Sequence, residues 1–446
     1  MGAGKISAIV VLLLSFFILP GSVQAKYSGG TGTPDAPYLI SAAEDMNQIG
    51  RNYADWDKCF KLTADINLSA YTGTQFSRIG TDDKHAFSGV FDGNGHTISG
   101  FTYTTANSSY IGVFGNINAA GRVENVSLVD VNVTGYHYVG GLVGYNEGTV
   151  SNCNLTGAVN GIDYSYDCGG LVGLNGGSIS DCYLTGTVTG AYDSYYLGGL
   201  VGYSYGSISN CYSTGAVTGG SDSDYLGGLV GLNGGSISDC YSTGAVTGGS
   251  DSDYLGGLVG YVSYSYVTDC YAAGEVAGDY DAGGLVGVND NSTITRCYSS
   301  GSVSGYMYVG GLLGWNYSGT TADSFWDTNT SGQSWSDGGT GKTTAEMRTE
   351  SIFTNAGWDF VWETVNGTKD IWAICEGASY PKLAWQFIPG DFDNDRNVDF
   401  FDFARMSVKW MRADSNLYCG GTDLTGDGRV DWSDLDILCD QWLKRF

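Results

Sequence analysis

Apolar residues in the middle of this chain come in pieces of one to three, cut apart by Gly, Asn, Ser and Asp. One stretch reads Gly227-Gly-Leu-Val-Gly-Leu-Asn-Gly-Gly-Ser-Ile-Ser-Asp-Cys-Tyr-Ser-Thr-Gly-Ala-Val-Thr-Gly-Gly-Ser-Asp-Ser-Asp-Tyr-Leu255. Nothing in it holds a 3.6-residue period long enough for a helix, and the pattern predicts three short strands and three turns. Gly-Leu-Val-Gly or a close variant recurs eight times, starting at Gly112, Gly141, Gly170, Gly199, Gly228, Gly257, Gly284 and Gly311. The steps are 29 residues, then 27 for the last two. A fixed period means stacked units, so the chain is mainly β, a parallel β-helix (solenoid). It is right-handed by the general rule for parallel crossovers. Eight rungs at about 4.8 Å make a rod of about 38 Å.

Alternation assigns faces within a rung. Cys153, Cys182, Cys211, Cys240, Cys270 and Cys297 each follow an Ile or Val by three residues, and Val126 holds the same place one unit earlier. Cysteine thus replaces a core residue, which favours a buried thiol column over a disulfide framework. Its neighbours then face outward. Asn152, Asp181, Asn210, Asp239, Asp269 and Arg296 form one column; Tyr183, Tyr212, Tyr241, Tyr271 and Tyr298 form another. The tyrosine column reads either as a stripe for stacking an extracellular polysaccharide or as a ladder that only stabilises the strands. Glycines are expected at tight corners of positive φ and at close backbone approaches. Acidic loops at Asp163, Asp193, Asp222, Asp251 and Asp279 read as solvated turns.

The rod has flanks. Lys5, the apolar run Ile6–Leu19 and Val23-Gln24-Ala25 predict a secretory signal over residues 1–25. After its removal no stretch could cross a bilayer, so the expected location is secreted, extracellular or cell-surface associated. Residues 26–110 read as an N-terminal cap and opening rungs, with Met46 and Ile49 on one face of a capping helix; residues 111–318 are the repeats. Residues 319–388 carry Trp326, Trp335, Trp358, Trp362, Trp372 and Trp385 and are expected to close the far end as a C-terminal capping region.

From residue 389 to 446 the text doubles with an offset of 32. Asp391, Asp393, Asp395 and Asp402 match Asp423, Thr425, Asp427 and Asp434, with Asn397 and Arg429 in the place that supplies a main-chain carbonyl. Oxygen ligands at positions 1, 3, 5, 7 and 12 are EF-hand spacing, so two Ca2+ ions are expected. Each loop leads into an amphipathic helical segment. Cys419 and Cys439 flank the second loop and are candidates for a disulfide.

Net charge is −27, and Arg296 is the sole Lys or Arg between Arg122 and Lys342. Such a surface repels nucleic acid. No rung between Gly141 and Gly257 breaks the pattern, and a catalytic centre is expected to be a local break.

The repeats resemble the GLUG repeat, as in Gly228-Leu-Val-Gly231 followed by Ser236-Ile-Ser-Asp-Cys-Tyr. Such repeats occur on secreted and surface proteins of bacteria, including non-catalytic parts of IgA-specific metallopeptidases, whose His-Glu-x-x-His signature is absent here. The paired loops, with Asp at position 12, resemble a type I dockerin, which implies calcium and a cohesin-like partner. Arg396 stands where that loop usually has glycine, though Gly428 fits. Phe400-Phe401 and Trp432-Ser433 hold the partner-selecting positions and differ from the usual Ser-Thr. The resulting expectation is a non-catalytic secreted surface or adhesive protein that binds extended partners, glycans first among them, and is tethered by its tail. A polysaccharide-degrading β-helix lyase or hydrolase is the alternative, and a structural spacer the third.

Overall fold

A computed structural model describes residues 26–361, 363–392 and 398–442, so the signal segment lies outside the described residues. Each repeat folds as one turn of a parallel β-solenoid. The Ser-Ile-Ser segments stack in register, Ser207–Ser209 between Ser178–Ser180 and Ser236–Ser238, in a sheet of eleven strands. The Val-Gly segments, such as Val201–Ser204 and Val230–Asn233, form an eight-stranded parallel sheet. Short strands such as Tyr212–Ser213 and Val217–Thr218 complete the third side. Ile208, Cys211, Val217, Leu226, Leu229 and Val230 of one rung all point inward and are buried. Each such aliphatic side chain contributes about 2 kcal/mol of apolar transfer.

The corners overturn the expected use of glycine. In the rungs, the left-handed positions belong to Asn125, Asn152, Asp181, Asn210, Asp239, Asp269 and Arg296 in one column. A second column holds Tyr110, Tyr138, Asp167, Tyr196, Tyr225, Tyr254, Asp281 and Tyr308. So Asp181 and its equivalents are corner residues, not outward-facing strand residues. Short Asn and Asp side chains tolerate this conformation; bulky Tyr does so only where the stack imposes it. Motif glycines instead permit close approach. A Cβ on Gly231 would sit 2.6 Å from the carbonyl carbon of Tyr196, whereas one on Gly234 would meet nothing nearer than 3.9 Å. Gly231→Ala is therefore expected to cost about 2–4 kcal/mol and Gly234→Ala almost nothing, read as urea midpoints. Equal midpoints would refute the close-approach account.

The thiol column is as expected: all six cysteines are buried and unpaired. They also hydrogen-bond as valine cannot. Cys182 Sγ donates to Ser180 O at 3.0 Å and accepts from the Cys153 amide at 3.4 Å, and Cys211 repeats this with Ser209 and Cys182. A second internal ladder runs through buried amides, Asn146 Nδ2 donating to Asn175 Oδ1 at 2.8 Å and Asn175 Nδ2 to Ser204 Oγ at 3.0 Å.

Helix α1 (Ala43–Arg51) covers the first rung, burying Met46 and Ile49, and Asp45 at its N-terminus accepts from the Ser41 and Ala42 amides. At the other end Phe325–Asp327 and then Thr340–Lys342 add the last parallel strands, and Trp326 plugs the core. The rest of the Trp-rich segment does something else. It turns back along the side of the rod, through helix α2 (Glu350–Thr354) and the antiparallel pair Trp372–Ala373 with Lys382–Leu383. Phe353, Trp358 and Trp372 pack there against Tyr271, Tyr298 and Phe325. The tail is a helical pair, α3 (Phe400–Lys409) and α4 (Trp432–Gln441), around Val398, Met406, Val430 and Leu438.

Candidate functional site

The two halves of the tail are built alike. Asp399 caps α3 by accepting from the Phe401 amide at 2.8 Å, and Asp431 caps α4 through Ser433 at 2.9 Å. The position-12 carboxylates sit three residues further on. Asp402 accepts from Phe392 at 2.7 Å and Asp399 at 2.9 Å; Asp434 accepts from Leu424 at 2.7 Å and Asp431 at 2.8 Å. In the second loop Asp423 gathers the amides of Gly426 and Gly428, both at 2.7 Å, and Thr425 Oγ1 at 3.2 Å. Asp427 lies at the exposed rim and accepts from the Arg429 amide at 2.9 Å. Gly428 has φ 86°, the left-handed turn that the sixth place of such a loop requires.

Four carboxylates, Asp391, Asp402, Asp423 and Asp434, are at most 5% exposed. Burying like charges on adjoining loops is costly without a cation, and the donor set is entirely oxygen, so these residues fit a hard divalent ion. Asp393, Asp395 and Asn397 of the first loop lie outside the described residues.

The expected disulfide is corrected. Cys419 pairs with Cys375 on the flank segment, at a Cα–Cα distance of 5.1 Å, and Cys439 is a free, exposed thiol. Cys419 sits on the single helical turn Leu417–Cys419 between α3 and α4, whereas Cys439 lies near the end of α4. The pairing joins tail to flank instead of stapling the tail to itself.

The tyrosine column forms, yet not as an open stripe. Successive rings from Tyr183 to Tyr298 stack 4.7–5.0 Å apart and within 6° of parallel. Rings stacked on one another turn edges and hydroxyls outward, so a chain lying along them finds few faces. Moreover, the returning flank covers the far half. Tyr298 donates to Pro381 O at 2.6 Å, Tyr271 bonds to Gln386 at 3.2 Å, and both are buried. Trp385 lies across Tyr212 and Tyr241, its Nε1 donating to Asp239 O at 3.1 Å.

Sequence reasoning missed the second aromatic column. Tyr196, Tyr225 and Tyr254 lean on one another at 4.8–5.0 Å and on Tyr203 and Tyr261 at 5.5–5.7 Å. The recurring Asp-Tyr-Leu-Gly was the available signal. This column also corrects the expectation of an unbroken pattern, because Asp167 replaces the tyrosine between Tyr138 and Tyr196 in register. Asp167 is 6% exposed, its Oδ1 has no hydrogen-bond partner, and burial pushes its carboxyl up to about 7.

On the corner beside the tyrosine ladder Arg296, the sole Lys or Arg between Arg122 and Lys342, acts locally. Arg296 grips Asp269 with two bonds, at 2.7 and 2.6 Å, and Trp372 Nε1 reaches the same carboxylate at 3.2 Å. Burial raises the Asp239 carboxyl above the usual carboxylate range.

Comparison with known proteins agrees with both halves. The GLUG motif matches residues 135–160, 165–189, 193–218, 222–247 and 278–304, and the dockerin type I domain matches residues 389–441. "Halomucin" of Haloquadratum walsbyi is 38% identical over 148 residues, 31% of this chain and 2% of that protein. A "Putative Gly-rich membrane protein" of Evansella cellulosilytica is 34% identical over 159 residues, 34% of this chain and 18% of that one. The chain thus spans a small part of the curated relatives it matches. A crystal structure described as "a putative immunoglobulin A1 protease" from Bacteroides ovatus aligns over 80% of this chain and 95% of that one, at 22% identity and a TM-score of 0.46. No helix among the described residues is long and apolar enough to cross a membrane. The chain is a GLUG-repeat β-solenoid carrying a C-terminal type I dockerin domain.

Proposed function

We propose that this is a non-catalytic extracellular rod that a calcium-loaded dockerin tail fixes to a cohesin-like partner, leaving the solenoid to hold extended glycans. The observation that carries the reading is the doubled loop with its four buried carboxylates. Dockerin domains generally bind cohesin domains, so the tail supplies the tether and the rod the reach. A solenoid whose rungs repeat the same groups suits many weak contacts along a polymer, and avidity then builds from modest individual affinities. The exposed aromatics Phe400 and Phe401 at the start of α3 and Trp432 at the start of α4 give the tail apolar docking positions at both ends of the helix pair.

The test is a pull-down of the full chain on a panel of cohesin domains and insoluble polysaccharides, with calcium or chelator, and with soluble sugar measured in parallel. Calcium-dependent cohesin capture together with sugar-free retention on a polysaccharide is the expected result. Release of oligosaccharides would replace this reading with the enzyme.

A further inference from the structure

Two clefts open on one corner of the rod, where the Asn/Asp column meets the outer ladder. The larger, about 740 Å³, lies toward the N-terminal end against Asp92, Asn125, Ser127, Asn152 and Asn154. The smaller, about 470 Å³, is bounded by Asn210, Asp239, Arg296, Lys369, Asp370 and Trp385. From Asn125 through Asn152, Asp181 and Asn210 to Asp239 this corner climbs four rungs, about 19 Å. Both clefts lie along this one corner, with the exposed Asp181 standing between them.

We infer that the two clefts act as one groove and bind a neutral polysaccharide chain whose end abuts Trp385. The inference rests on the glycan reading above and gives it a place and a ligand class.

The open end is a wall of side-chain amides. Asn152 Nδ2 donates to Asn125 Oδ1 and Asn125 Nδ2 to Asp92 Oδ1, both at 2.9 Å. Further along, Asn210 Nδ2 donates to Asp181 Oδ1 at 3.3 Å. Each amide carries a donor pair and an acceptor, which is what sugar hydroxyls need, and successive groups are one rung apart, the scale of one pyranose unit.

Charge selects against acidic chains. Arg296 is neutralised by Asp269 and Asp92 by Lys61, and the remaining Asp239 and Asp370 outnumber Lys369. A uronate or sulfated polymer is therefore repelled.

The far end is blind. Trp385 is tilted 33–34° to Tyr212 and Tyr241, so it stands outside the parallel stack and presents an aromatic surface at the end of the groove. Beyond it Tyr271 and Tyr298 are buried, and the cleft runs on only to Asp269 and Arg296, with Lys369, Asp370 and Ile371 of the flank along its side.

The experiment is calorimetry on the full chain with calcium, using neutral gluco-, manno- and xylo-oligosaccharides of two and five units, with polygalacturonate as the anionic probe. One neutral series is expected to bind at least tenfold more tightly as the pentamer than as the dimer. Asn152→Gly and Asp370→Gly, at exposed left-handed positions where glycine keeps the backbone, are each expected to weaken the pentamer tenfold. Partial hydrolysis of the matching polymer, which multiplies chain ends at constant mass, is expected to raise the amount bound. Preference for polygalacturonate, equal binding of dimer and pentamer, unchanged affinity in both variants, or binding that ignores chain ends overturns the proposal. If both variants stay on an insoluble polysaccharide as well as wild type does, the groove fails while the glycan reading stands. If wild type is retained on none, both fail.

Discussion

Chelating calcium is expected to unfold the tail that carries α3 and α4 and to leave the solenoid intact. The tail has a small core around Val398, Met406, Val430 and Leu438, and its two loops bury four carboxylates. With free calcium a thousandfold above Kd, each bound ion adds about 4 kcal/mol to the folded state. For a domain this small, two such contributions are comparable to the whole folding free energy. Removing the ions leaves mutual repulsion and desolvated charge. Asp434→Ala should reproduce much of the effect alone, because it deletes a position-12 ligand and the acceptor for the Leu424 and Asp431 amides. Far-UV dichroism in excess chelator, with proteolysis to map what opens, reads the result. Cys375–Cys419 keeps the loosened tail attached to the flank, so cleavage within the tail should release no free fragment containing Cys419 until a reductant is added. A tail that stays helical and protease-resistant in chelator would rule out calcium as its organiser.

The second large effect belongs to Asp167, and it runs with pH. Its carboxyl titrates near 7 when folded, against roughly 3.9 in an unfolded chain, because burial disfavours the charge. Folding therefore takes up a proton. The carboxylate costs stability above pH 7, and the cost disappears as pH falls from about 7 to about 4. Three units correspond to an upper bound of about 4 kcal/mol. Asp167→Asn keeps a side chain that tolerates the left-handed corner and removes the charge. It is expected to be more stable than wild type by about 2–4 kcal/mol at pH 8 and to converge with it near pH 4. Denaturant melts of both proteins at matched calcium give the comparison. A variant that is less stable at pH 8 would show that the carboxylate has a favourable partner.

Much of this molecule could be read locally. The 29-residue period, the inward cysteines, the helix carrying Met46 and Ile49 and the doubled aspartate loops each follow from near neighbours in sequence. What escaped depended on contacts far along the chain. The tyrosine ladder looked solvent-facing because nothing near Tyr298 announces that Pro381 will lie over it. Cys419 finds Cys375, 44 residues away, only because the flank returns along the rod. The corner tyrosines escaped for another reason. Left-handed backbone is unfavourable for Tyr, so no local preference forecasts Tyr225 there; the approach of Gly260 from a neighbouring rung makes room for it.

Residues 206–231 and 235–260 differ only at Asn210 and Asp239, so these adjoining rungs are nearly interchangeable. Because the copies present the same groups to their neighbours, one can be gained or lost while the flank, which lies across Tyr212 and Tyr241, still meets a tyrosine at each rung. Unequal recombination between such copies would lengthen or shorten the rod in increments of about 4.8 Å. The gene then acts as a ruler with a fixed graduation, and populations can vary their reach without inventing a new surface.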